Sequence, residues 1–167
     1  LPGSADAHHV LGQAQAKLGQ PDAAIASYRK AVDLAPGWAD ALVSLGRLYG
    51  KLGRDAEALD PLTQAAGMAQ EDLTTQLSLA GVLERLGRPA DAVAPLQQAS
   101  SLSPDDPAIA ARLGAACAAA GRWEEAAQAY RSAARVSPDA DNQLGLGRAR
   151  RALGDLVGAE AAFAASA

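Results

Sequence analysis

The stretch that decides the fold is "GRWEEA", Gly121–Ala126. Alone it reads as a turn running into a helix. Near-copies recur along the chain: "GQPDAA" at 19–24, "GRDAEA" at 53–58, "GRPADA" at 87–92 and "GDLVGA" at 154–159. Each opens with Gly and closes with Ala five residues later. The opening glycines, Gly19, Gly53, Gly87, Gly121 and Gly154, stand 34, 34, 34 and 33 residues apart. A constant spacing of this size marks an array of one supersecondary unit.

Other positions keep the same step. Leu-Gly pairs precede the turn at Leu11-Gly12, Leu45-Gly46, Leu113-Gly114 and Leu146-Gly147, with Leu79-Ala80 in the third unit. After the turn come Ala24, Ala58, Ala92, Ala126 and Ala159, then Tyr28, Leu62, Leu96, Tyr130 and Phe163, then Ala31, Ala65, Ala99 and Ala133, with Ser166 last. Ala24, Tyr28 and Ala31 are spaced i, i+4, i+7, which is one face of a helix. The turn Gly suits the left-handed residue that ends a helix. Pro21 and Pro89 suit a first helical turn, and Asp22, Asp55, Asp91, Glu124 and Glu125 suit its positive end. Pro36, Pro104 and Pro138 stop the second helix. Each unit therefore predicts an antiparallel helical hairpin. Small residues let the two helices approach, and a Tyr, Leu or Phe fills the gap beside them.

Composition agrees. Hydrophobic residues are 49% of 167, charged residues 20%, and alanine dominates. That describes a folded helical chain rather than a disordered one. The net charge of −4 argues against a general nucleic-acid binder. Cys117, the single cysteine, permits no internal disulfide. No apolar run reaches membrane-spanning length, so membrane insertion is not expected. These features leave the compartment open between cytoplasm and periplasm, with the cytoplasm favoured. The Ala-rich, Arg-over-Lys usage hints at a GC-rich bacterial source.

On these residues the chain resembles the tetratricopeptide repeat family, whose unit of about 34 residues carries a W-x2-L-G-x2-Y…A-x3-F…P pattern. The resemblance covers nearly the whole chain as one domain over 1–167. Its repeats run 5–38, 39–72, 73–106, 107–139 and 140–167, and residues 1–4 align with the tail of a preceding repeat. The expectation is a fragment of a longer protein, or one whose uncapped ends pack on another molecule, self-association included. The pattern has departures. His8, Leu42, Gln76, Ala110 and Gln143 replace the early aromatic residue. Gln70 replaces a closing proline and Gly67 sits nearby, while Pro61 and Pro95 fall inside second helices and predict kinks. Local irregularity is expected near 66–74 and 138–141.

The fold class implied is all-α, a right-handed solenoid of antiparallel helix pairs whose first helices line a concave groove. The resemblance places Asp6, His9, Gln13, Asp40, Val43, Arg47, Thr74, Leu77, Gly81, Glu84, Ala111, Ala115, Ala118, Leu144, Arg148 and Arg151 on or near that groove, with Arg85 and Arg112 around it. Lys17 and Lys51 lie beside them, whereas much of the acid lies on second helices and turns. A relatively basic groove follows, suited to an acidic segment or a chain-terminal carboxylate. The Lys and Asn clamp of the chaperone-binding members is absent, because the corresponding residues are His9 and Gln13. The asparagine ladder of the glycosyltransferase-associated members is absent too, because its positions hold Val10, Ser44, Ser78, Arg112 and Gly145.

No catalytic, cofactor or metal constellation emerges. His8 and His9 point in different directions and have no zinc-like partners. Cys117 reads as a buried thiol, Glu124 and Glu125 as solvated helix starts, and Trp123 as the cover of an inter-helix edge. The expected function is a protein-interaction scaffold without enzymatic activity or cofactor, binding a protein or peptide. The alternatives are the substrate-presenting segment of a larger enzyme such as a glycosyltransferase, or a self-assembling bacterial scaffold.

Overall fold

A computed structural model of the chain describes residues 3–166. Leu1 and Pro2, half of the expected tail of a preceding repeat, lie outside the described residues, as does Ala167. Among the described residues the order is α1 (Ala5–Lys17), α2 (Pro21–Leu34), α3 (Ala39–Lys51), α4 (Asp55–Met68), α5 (Leu73–Arg85), a 3-10 turn (Pro89–Ala92), α6 (Val93–Leu102), α7 (Pro107–Ala119), α8 (Trp123–Val136), α9 (Ala140–Ala152) and α10 (Leu156–Ala164). None of these helices is long and apolar enough to cross a membrane.

The recurrent glycine has a geometric cause. Gly19, Gly53, Gly87, Gly121 and Gly154 have φ of 71°, 70°, 71°, 72° and 80°, and no other described residue has positive φ. At Gly121 the backbone forms a double closure: Gly121 N–H donates to the Ala118 carbonyl at 3.0 Å and Arg122 N–H to the Cys117 carbonyl at 2.9 Å. Gly19, Gly53 and Gly154 repeat that arrangement. It satisfies carbonyls at the end of one helix and turns the chain into the next.

The chain divides into two compact units, Leu1–Leu86 and Gly87–Ala167. In the first, α1 pairs with α2 and α3 with α4, α2 packs on α3, and α5 packs on α4. In the second, α7 pairs with α8 and α9 with α10, α6 packs on α7, and α8 on α9. The period is written in burial. Ala24, Ala58, Ala92 and Ala126 are 0% exposed and Ala159 is 2% exposed. Beside them the glycines make room for large side chains. A Cβ at Gly12 would sit 2.7 Å from the Tyr28 ring, and one at Gly46 would sit 2.5 Å from Leu62 Cγ. Gly114 and Gly147 stand in the same way against Tyr130 and Phe163.

The expected irregularities resolve differently from one another. Pro61 lies within a continuous α4, whereas the second helix holding Pro95 opens as the 3-10 turn and becomes α-helical at Val93. Pro61 and Pro95 hold the same register and each lacks an N–H for the carbonyl four residues back, so the missing bond does not account for the difference between the two helices. The region 66–74 is regular despite Gln70. Asp72 N–H donates to the Ala69 carbonyl (3.1 Å) just as Trp38 N–H does to Ala35 (3.0 Å) and Asp106 N–H to Ser103 (3.3 Å). The shortened junction before α9 is bridged by side chains: Asn142 Nδ2 donates to the Ser137 carbonyl at 2.9 Å, and Ser137 Oγ to Asp139 at 2.9 Å.

Candidate functional site

The predicted groove residues occupy a stripe of neighbouring registers. His9, Val43, Leu77, Ala111 and Leu144 are equivalent in their repeats, and so are Gln13, Arg47, Gly81, Ala115 and Arg148 one helical turn later. Residues four apart share a helix face, so each first helix presents the stripe to one side. The structure builds cavities on it in both units.

In the first unit, a cavity of about 410 Å³ lies between α1 and α3, lined by Gln13, Ala16, Lys17, Ser44, Arg47, Leu48 and Lys51, with Tyr28 of α2 as its floor. The next, about 310 Å³, lies between α3 and α5, lined by Arg47, Gly50, Lys51, Leu77, Ser78, Gly81 and Arg85 among others, with Leu62 of α4 as its floor. In the second unit a cavity of about 500 Å³ lies between α7 and α9, lined by Ala115, Ala118, Gly145, Arg148, Arg151 and Ala152, with Tyr130 of α8 as its floor and Trp123 at the start of α8. The construction is the same each time: two first helices form the walls, and the residue admitted by the helix-one glycine closes the bottom.

The charge of these cavities is one-sided. No carboxylate lines any of the three. Hollows formed with second helices do carry acids, Glu57 and Asp60 beside Arg29 in one and Glu125 in another. Lys17, Arg47, Lys51 and Arg148 are exposed and make no ion pair among the described residues. Arg85 differs. Its guanidinium is held by the Asp55 carboxylate in a bidentate pair, with contacts of 2.7 and 3.0 Å. Arg151 lies over the Phe163 ring, 5.8 Å from its centroid.

The remaining predicted residues are placed as follows. His9 is buried, its Nε2 2.9 Å from Ser44 Oγ and its ring edge-on to Trp38 at 4.7 Å. It therefore supports the floor beside Gln13 rather than reaching into solvent. Val43, Leu77, Ala111 and Leu144 are half-buried on the stripe, as is Arg112. Cys117 is fully buried, and burial pushes its thiol pKa up. Burial likewise pushes the Tyr130 phenol up.

Sequence reasoning missed two features. Trp123, read as an edge cover, is part of the second-unit cavity wall. Its signal lay in register: the equivalent residues are Pro21, Asp55, Pro89 and Leu156, so an indole is introduced at one position of an otherwise unremarkable series. The turn arginines were also missed. Arg54 pairs with Glu57, Arg88 with Asp91 and Arg122 with Glu125, each three residues apart. The second acid of "GRWEEA" is thus committed to the turn's own Arg and is not a free helix start.

Three family models described as tetratricopeptide repeat match residues 5–37, 83–142 and 118–167, and none of them is a catalytic family. Solved structures share the architecture. The MamA protein is 20% identical with a TM-score of 0.80, over 99% of this chain and 91% of that one. YrrB, described as a TPR protein with an unusual peptide-binding site, is 22% identical with a TM-score of 0.84, over 98% and 85%. MamA from Desulfovibrio magneticus RS-1, residues 41 to the end, is 17% identical with a TM-score of 0.72, over 96% and 91%. At these identities the likeness is one of fold. No curated protein matches the chain significantly.

Proposed function

The chain belongs to the tetratricopeptide repeat family, and from that premise we propose that it is a non-catalytic interaction scaffold whose first-helix faces bind an acidic protein segment. The observation that carries this reading is the one-sided charge of the cavities. Lys17, Arg47, Lys51 and Arg148 line them without an internal carboxylate to answer them, although the chain as a whole carries −4. Cations left unpaired beside an apolar floor are suited to a partner's carboxylates, and Arg adds a planar fork that matches a carboxylate bidentately. YrrB's description as peptide-binding adds support on the same architecture.

Fluorescence anisotropy with labelled hexaglutamate and hexalysine peptides tests this. The acidic peptide is expected to bind and the basic one not. Raising salt from about 0.05 to 0.5 M should weaken binding by tenfold or more, as screening lengths shrink. Arg47→Glu with Lys51→Glu, and separately Arg148→Glu, should each weaken it by about tenfold. Amidating the peptide's C-terminus separates an acidic segment, which still binds, from a terminal carboxylate, which does not. Equal affinity for the two peptides, or indifference to charge reversal, would refute the reading.

A further inference from the structure

The cavities of the two units differ at one end, and the difference concerns chemistry beyond charge. In the first unit, Asp55 at the start of α4 chelates Arg85. An internal carboxylate thus occupies a guanidinium that lines the cavity. In the second unit the residue equivalent to Asp55 is Trp123. It cannot accept such a pair, the residue equivalent to Arg85 is Ala152, and Arg148, equivalent to Gly81, makes no ion pair among the described residues. The indole of Trp123 is half-exposed, packs against no other ring and donates to no group among the described residues. It shares the wall with Ala115, Ala118 and Gly145, and Tyr130 supplies a second aromatic surface below. Gly145 lets the Tyr130 ring pack against α9, since a Cβ there would run into that ring. The result is the largest of the three groove-side cavities, about 500 Å³, within the range of roughly 300–1,000 Å³ typical of ligand sites.

We propose that this cavity reads one aromatic side chain of the partner, stacked on Trp123 over Tyr130, next to a carboxylate held by Arg148. The proposal rests on the acidic-partner reading above and adds sequence specificity to it. Aromatic pairs in offset or edge-on geometry gain more than their buried area alone provides, and Trp, Tyr and Arg are enriched among the residues that anchor protein partners. A small-residue wall admits the ring and lets the partner backbone run close to α7 and α9. An aliphatic side chain would fill the space without answering either ring.

The test uses three labelled peptides, Asp-Asp-Phe-Asp-Asp, Asp-Asp-Ala-Asp-Asp and Lys-Lys-Phe-Lys-Lys, on the full chain. The Phe acidic peptide should bind about tenfold more tightly than its Ala counterpart, a difference of about 1.4 kcal/mol, and the Lys peptide should not bind. Trp123→Ala should erase the Phe-over-Ala preference and keep the salt-dependent binding of both acidic peptides, whereas Trp123→Phe should restore the preference. Arg148→Glu should weaken both acidic peptides. In ¹⁵N spectra the Trp123 indole signal, assigned with the Trp123→Phe variant, should shift with the Phe peptide and not with the Ala peptide. Equal affinity for the two acidic peptides would overturn the aromatic subsite and leave the acidic-partner reading standing. Binding by the Lys-Phe peptide would overturn the carboxylate half of the site, and binding by neither acidic peptide would overturn both readings.

Discussion

Gly46, Gly67 and Gly121 are the same residue with three different physical roles, and one substitution separates them. Gly46 faces the fully buried Leu62, and its Cβ would fall 2.5 Å from the Leu62 branch point and 3.3 Å from the Ala58 carbonyl. Gly46→Ala should destabilise by about 1–3 kcal/mol through overpacking, even though Ala in a helix is worth about 1 kcal/mol over Gly. Gly67 lies exposed in α4 with nothing within 4 Å of a Cβ. There the same change should stabilise, by up to about 1 kcal/mol. Gly121 has open space but φ of 72°, so Gly121→Ala should cost about 1–2 kcal/mol in backbone strain. Urea midpoints at constant slope give all three values. A loss at Gly67 or a gain at Gly46 would contradict the packing described. Cys117 supplies a further check at this scale. Buried, with its thiol pKa pushed up by that burial, it should react with thiol reagents on the timescale of unfolding rather than of diffusion. The recurrent turn glycine was legible in sequence because a left-handed residue tolerates little but Gly. The Asp55–Arg85 pair was not, because it joins residues 30 apart whose meeting depends on how α4 seats against α5.

At the scale of the element, helix starts carry information that the period contained and that went unread. Ser4, Asp72, Asp106 and Asp139 cap α1, α5, α7 and α9 through side-chain acceptors, and Trp38 replaces the cap at α3. These positions follow the same 33- and 34-residue step as the glycines. Their small size and variability hid them beside the louder Gly and Ala marks. Asp139 illustrates the consequence. It accepts the Asn142 backbone N–H at 2.8 Å and the Ser137 hydroxyl at 2.9 Å, and these bonds hold its carboxyl pKa below the usual value. A group depressed in the folded state adds stability above its unfolded pKa and loses it as pH falls through its folded one. Asp139→Ala should therefore be less stable than the parent at neutral pH. The gap should close as pH falls from about 5 towards 2, across and below the ordinary Asp value of about 3.9. A gap that is constant with pH would show that the cap's charge plays no part.

At the scale of the whole molecule, the sequence period predicts which helices are first and which are second in each pair, and the separation of charge in each unit follows from that alternation. Groove-side cavities carry Lys17, Arg47, Lys51, Arg85, Arg148 and Arg151 and no carboxylate, whereas hollows formed with second helices include Glu57 and Asp60 beside Arg29 in one and Glu125 in another. Net charge conceals this pattern because it averages over the two faces. What stayed hidden in the sequence was which cations are spent internally, as at Arg85, and which cavity gains an aromatic wall, as at Trp123. Both depend on side chains from different helices converging. The most direct test of the account is a map of amide shifts in ¹⁵N-labelled protein saturated with hexaglutamate. The account predicts shifts concentrated on the first-helix stripe, at Gln13, Arg47, Ser78, Ala115 and Arg148 and their neighbours, and lost on adding 0.5 M salt, where the screening length falls to about 4 Å. Shifts concentrated instead on α2, α4 and α8, or no shifts at millimolar peptide, would contradict it.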